Sequence, residues 1–359
     1  MTEPTTDMGP PRPRRWHIYA PTIAIAVLVA LYAVYWTAVS REVRGALEIF
    51  ATNPGHGLVV GWQELSLGGF PYRIEARFSS PTASAPTTPE AWSWKGEAAE
   101  IALLPHNLRH LIVNLRGTQE LRYRDPSAPR IENAMFATMK GAWASYVEVP
   151  GASFGRLAVD VENVEARHER GNPGSVETLD AGRLQLHMRP APTGTPDLDI
   201  ALQADVVTLG LTRSIRALGP DIARIMIQAR ARNLPPVERM SAVELFEQWR
   251  AVGGTLAVSD LIVQWGPLDM TASGEMALDE ENRPQGRFDT EIADFEGLLE
   301  AMVREGLVRE RDARVALAGL VLVSQLQGSE PGRVRVPVSM NEGRLYLGPL
   351  AVADLSPLY

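Results

Sequence analysis

The spacing of hydrophobic and polar positions changes once along the chain, near residue 58. Before that point, Ile18 to Val39 (IYAPTIAIAVLVALYAVYWTAV) runs 22 residues without a charge. At 1.5 Å of rise per residue, about 20 apolar residues cross the hydrocarbon of a bilayer. The run therefore predicts a membrane-spanning helix. Trp16, Tyr19, Tyr32, Tyr35 and Trp36 lie towards its two ends, where amphipathic rings favour the membrane–water interface. Pro21 falls in the first turn, where a missing N–H costs little. REVRGALEIFATNPG then predicts a helical stalk ending at Asn53-Pro54-Gly55. Two other readings stand beside the anchor. One is a signal peptide cleaved after Ala38-Val39-Ser40, although a signal's apolar stretch is usually only ~7–15 residues. The other is a buried core helix.

From Leu58 onward the pattern alternates with period two, the signature of strands with one buried face. LVVGWQELSLGGFPYRIEARFSSP gives two runs about Gly68-Gly69, a hairpin or meander. Ser80 to Pro89 is rich in Ser, Thr, Pro and Ala and predicts a loop. Further strand candidates are AWSWKGEAAEIALL, HLIVNLRG, QELRYR, GAWASYVEVP, RLAVDVENVEARHE, GRLQLHMRP and DLDIALQADVVTL. Ser241-Ala242-Val243-Glu244 fits a capping box, and Ala242, Leu245, Phe246, Trp249 and Val252 fall on one helical face behind it. More strands follow from Gly254. Asp294 is placed to cap a helix through FEGLLEAMVREG, and VRERDARVALAGLVLVSQLQG predicts another. The chain closes on two strands about the Asn341-Glu342-Gly343 turn.

The expected fold is α+β and β-rich: an N-terminal transmembrane helix, then long curved antiparallel sheets with a few packed helices. Residues 1–17 form a tail, 18–39 the span, 40–235 a first β-rich half, and 236–359 a second half with helices and C-terminal strands. Pro235-Pro236 marks the boundary between the halves.

Composition narrows the function. The net charge of -8 argues against nucleic acid as a partner. Lys95 and Lys140 are the only lysines, and there is no cysteine, so no thiolate serves as nucleophile or metal ligand. Arg12, Arg14 and Arg15 precede the apolar run. By the positive-inside rule they hold the N-terminus in the cytoplasm and put the body outside.

No motif amounts to a catalytic set. Gly151-Ala152-Ser153-Phe154-Gly155 matches G-x-S-x-G, but a strand-like run follows it where a nucleophile elbow needs a helix. His106 and His110 have zinc-site spacing only if helical, and Pro105 with HLIVNL predicts a turn and a strand. Asp279-Glu280-Glu281-Asn282 lacks the ligand spacing of a calcium loop and reads as a solvated turn. No nucleotide-binding glycine loop is present. Trp62, Trp92, Trp94, Trp143 and Trp265 fall on strand candidates, and with Phe70 they either fill a core or line an apolar groove for acyl chains.

The N-terminal span, GWQELSLGGFPYRIE at 61–75, GEMALDEENRPQGRFDTEIADFEGLLEAMVREG at 274–306 and the ending GRLYLGPLAVADLSPLY resemble the bacterial family called domain of unknown function 2125. The likeness covers most of residues 40–359. It implies a Gram-negative cell-envelope protein facing the periplasm, and it carries over no activity and no catalytic residues. The layout is also similar to that of the AsmA-like envelope proteins, whose long sheets are linked to lipid handling; that likeness is one of architecture. The expectation is a non-enzymatic, single-pass inner-membrane protein with a periplasmic body, needing no cofactor. It would bind or pass lipid, or assist envelope assembly. A scaffold for another envelope protein and an unrecognised hydrolase are the alternatives.

Overall fold

The structure is a computed structural model. It describes residues 16–53, 57–85, 91–104, 107–125, 128–152, 154–171, 175–192, 195–210, 217–236, 242–328, 330, 332–348 and 350–358. The apolar run and the stalk form one helix, α1 (Trp16–Thr52). Its apolar window is 0% buried, which overturns the buried-core reading. The strands are β1 (Val59–Gly61), β2 (Glu64–Gly68), β3 (Ile74–Ser79), β4 (Thr82–Ala85), β5 (Trp92–Leu104), β6 (Asn107–Asp125), β7 (Ala128–Val147), β8 (Arg156–Arg170), β9 (Ser175–Pro190), β10 (Leu198–Leu209) and β11 (Asp221–Arg232). After α2 (Ala242–Ala251) come β12 (Thr255–Trp265), β13 (Leu268–Leu278) and β14 (Pro284–Ala293). Next are α3 (Phe295–Arg304), α4 (Glu310–Gln327), β15 (Arg333–Asn341), β16 (Arg344–Leu347) and β17 (Leu350–Asp354).

From β5 to β17 each strand pairs antiparallel with the next in sequence. At the first edge β5 has two neighbours. β3 lies along its C-terminal part with β2 beyond, and β4 lies along its N-terminal part with β1 beyond. The result is one open meander that continues across the Pro235-Pro236 boundary through the β11–β12 pair. The chain of 39.3 kDa exposes 23445 Å², against about 14,000 Å² for a compact monomer of that mass.

Register assigns the two faces. Val159 and Val161 of β8 lie opposite Leu186 and Leu184 of β9. These in turn lie opposite Leu202 and Ala204 of β10, and then Ile227 and Ile225 of β11. The alternate positions carry Asp160, Gln185, Gln203 and Met226, then Glu162, Arg183, Asp205 and Arg224. One face is apolar and the other mainly polar and charged.

A crease runs across this alternation. Lys140, Asn163, Gly182, Val206 and Ala223 lie side by side between paired neighbours on β7 to β11. Asn163 and Val206 have φ of 48° and 52°, a region that L residues rarely adopt. Gly182 eases the close approach, because a Cβ there would lie a tight 3.3 Å from that of Val206. Each strand gains one residue at this level, so alternation restarts out of phase. Val164, Ala181, Val207 and Ile222 thereby stay on the apolar face, and with Ala204 they form a buried cluster.

The helices close the ends. Asp294 caps α3 as expected, its Oδ1 accepting from the Gly297 amide at 3.1 Å. Leu298 of α3 and Leu317, Leu320 and Val321 of α4 pack on Ile292, Val334 and Val336. Gln327 exchanges hydrogen bonds of 2.8 and 3.0 Å with the backbone of Arg335. It acts as a one-residue strand at an edge that β16 is too short to cover. At the other end, Leu47 of α1 joins Trp62, Leu65, Ala76 and Phe78.

Three expectations change. The Ser80–Pro89 loop contains β4, held by pairing with Trp92–Lys95. HLIVNLRG and QELRYR are one strand, β6, because Gly117 takes φ +71° and carries the backbone through a bulge. β11 is a strand that its charges hid: Arg224 and Arg230 both project from the polar face, opposite Asp205 and Asp199. Ser241 of the capping box lies outside the described residues.

Candidate functional site

Among the described residues, helix side chains join the apolar clusters at the two ends of the sheet and not in its middle. The core clusters spanning β7 to β15 through Ala204, Val207, Ala229, Val258 and Phe288 draw all their members from strands of the sheet. Among the described residues, no helix side chain joins them. Leu202, Met135 and Ile131 on this face are 38%, 38% and 44% exposed.

The six aromatic residues singled out from sequence divide between places. Trp62 meets Phe78 edge-on at 5.2 Å, and Trp94 joins the same cluster. Trp92 lies opposite Tyr123. Trp265 packs into the crease cluster, its Nε1 donating to Gly219 O at 2.9 Å. These four share the apolar side. Trp143 lies opposite Asp160 on the polar face, its ring over Gly141, where a Cβ would meet it at 2.3 Å. Phe70 sits in the β2–β3 loop against Trp36 and Tyr32 of α1.

The polar face is ordered by cross-strand ion pairs. Asp160 binds Arg183 at 2.9 Å, Asp199 binds Arg230 at 2.7 Å, and Glu291 binds Arg333 and Arg335 at 3.0 and 3.1 Å. Hydrogen bonds from Arg183, Arg230 and Arg335 respectively hold these three carboxyls below their usual range. Glu75, 2% exposed, was not singled out from sequence. Burial pushes it up. Hydrogen bonds with Glu100 and Arg77, with the Arg73 charge, outweigh that and bring it down.

The depressed carboxyls set a pH window. Their ion pairs stabilise the fold above the unfolded carboxylate range, near pH 4, and that contribution is lost as pH falls through the lower folded values. The pairs are partly exposed, so solvent screens them and each contributes little. The urea midpoint is expected to stay level from about pH 7 to 5 and to fall below about pH 4. In Asp160→Asn the deficit relative to the parent chain should shrink at the acid end. A deficit of the same size at every pH would disprove the linkage.

A twisted sheet is saddle-shaped, and the polar face has its own hollow of about 1050 Å³ over β6 to β12. His110, Ser145, Arg156, His187, Asp199 and Arg230 line it. His110 Nε2 lies 2.8 Å from Ser145 Oγ, a contact between residues 35 apart that sequence could not reveal. No carboxylate among the described residues contacts His110, and the Ser145 backbone lies between Ile112 and Ala158 within the ladder. Asp199 is engaged by Arg189 and Arg230. Ser153 and His106 lie outside the described residues. Asp279 forms a turn, accepting from the Glu281 and Arg283 amides at 3.0 and 2.8 Å. No three His, Asp or Glu side chains among the described residues are grouped to hold a metal ion.

A family model described as an uncharacterised protein conserved in bacteria (DUF2125) matches residues 36–356. No curated protein and no solved structure matches the chain.

Proposed function

The chain belongs to that uncharacterised bacterial family, and we propose that it is a membrane-anchored protein whose apolar sheet face holds the acyl chains of lipid without transforming them. α1 is the anchor in the inner membrane. Arg12, Arg14 and Arg15 keep the tail inside, with the body in the periplasm. The observation that carries this reading is the middle of the apolar face. Side chains from β6 to β12 line one side of the sheet, and among the described residues no helix side chain joins the clusters there. Leu202, Met135 and Ile131 stand partly in water on this face, and an occupant would remove them from it at about 25 cal/mol for each Å².

The test replaces Leu202 in the full chain by a photo-crosslinking amino acid and irradiates cells. A lipid-mass adduct at Leu202, with none from the same residue at Asp160, is the expected result. A protein adduct at Leu202 would favour the scaffolding reading. A silent Leu202 would leave the lipid proposal without support.

A second reading is hydrolysis, favoured by the 2.8 Å contact of Ser145 and His110. It ranks lower because, among the described residues, no carboxylate contacts His110 to orient it.

A further inference from the structure

The β2–β3 loop is placed where a water-facing loop has no reason to be. Tyr32 Oη donates to Pro71 O at 2.5 Å, and Trp36 Nε1 donates to Arg73 O at 3.0 Å. The Phe70 ring lies 5.5 Å from that of Trp36 and 6.2 Å from that of Tyr32. Tyr32 and Trp36 belong to the uncharged run Ile18–Val39. At 1.5 Å per residue they lie roughly 10 and 5 Å inside its end. The loop backbone therefore stands beside the span, at the level of its outer aromatic belt.

The loop's chemistry suits that level. Gly69 to Tyr72 carries no charge. Phe70 is 48% exposed and Tyr72 82% exposed, a costly arrangement in water and a favourable one among lipid headgroups. The turn is built to reach this position. Gly69 has φ +93°, and a Cβ there would lie 2.7 Å from Arg73 O. Arg73, which ends the loop, directs its guanidinium up to Glu75 at 3.0 Å.

We propose that the Gly69–Arg73 loop is a second membrane contact, with Phe70 and Tyr72 seated in the headgroup layer beside α1. The proposal rests on α1 being a membrane span. It adds a route to the proposed function. The loop leads directly into Ile74, Ala76 and Phe78, which are buried, and Ala76 and Phe78 begin the apolar face. The sheet thus meets the bilayer at the edge where that face starts, and an acyl chain leaving the outer leaflet meets apolar side chains first.

The absence of cysteine makes the test direct. Single cysteines are introduced as Tyr72→Cys and Phe70→Cys in the loop, Ile25→Cys in the span and Ser259→Cys on the body. Each is labelled with an environment-sensitive fluorophore. The full chain is reconstituted into vesicles of phosphatidylethanolamine and phosphatidylglycerol, with or without a spin-labelled lipid. The loop labels should be blue-shifted and quenched by the spin-labelled lipid at least twofold more than the Ser259 label. Two loop positions guard against one substitution disturbing the turn. Loop labels quenched no more than Ser259, with Ile25 strongly quenched, would overturn the loop contact and leave the anchor standing. An unquenched Ile25 label would overturn the anchor and the loop contact with it.

Discussion

Val164→Asp is expected to cost about 3–5 kcal/mol, because it puts an unpaired carboxylate into an apolar cluster. The same change one residue earlier, Asn163→Asp, should stay within about 0.5 kcal/mol, because surface changes are mild and Asp tolerates positive φ. Val164 is 6% exposed, among Ala181, Ala204 and Val207. Asn163 is exposed at φ 48°. Total stabilities run about 5–15 kcal/mol, so the first change threatens the fold and the second does not. The pair tests the crease itself. Counting outward-facing positions from Asp160 and Glu162 by simple alternation would put Val164 on the polar face, where Asp would be harmless. Only the extra residue at Asn163 turns Val164 inward. Urea unfolding of the two variants beside the parent chain decides the matter, and similar midpoints for both would show that the alternation is not broken there.

That crease shows how far the sequence could be read. The helix at Ile18–Val39 is legible because twenty-two uncharged residues have few other homes, and the strands are legible because alternation is a property of one strand alone. The slips at Asn163, Gly182 and Val206 are also in the sequence, as in VDVE followed by VEAR across Asn163. In one strand such a slip reads as noise. It becomes a feature only when register lays five of them side by side. β11 was missed for a related reason. Its arginines look like surface until Asp199 and Asp205 are seen opposite Arg230 and Arg224. The candidate site was less legible than the fold. Trp62 and Trp143 each follow closely on a glycine, yet packing on Phe78 takes the first into the apolar cluster and register puts the second on the polar face. Nor does any local pattern mark Glu75 as buried, or Phe70 as a contact of α1.

The mature protein should keep its N-terminus, and removing residues 1–39 should shift nearly all of it from the membrane to the soluble fraction. A signal peptide and an anchor pass the same test of length and composition, so the discrimination comes from what the helix touches. Tyr32 and Trp36 donate to the backbone of the β2–β3 loop. Ser40 is 5% exposed, and Leu47 belongs to the first core cluster. Cleavage after Ser40 would cut α1 in mid-helix, strip two hydrogen bonds and two aromatic contacts from the loop, and leave Phe70 without Trp36 and Tyr32. A signal peptide is discarded and has no reason to be built into the body that remains. At about 1.5 Å per residue the 37-residue helix is roughly 55 Å long. That is enough to cross about 30 Å of hydrocarbon and still carry a stalk against the sheet. Intact mass of the protein recovered from membranes should match the full 39.3 kDa chain, give or take the initiator methionine, and alkaline washing should not release it. A mass short by the first 40 residues would identify a cleaved signal and free the sheet from the membrane.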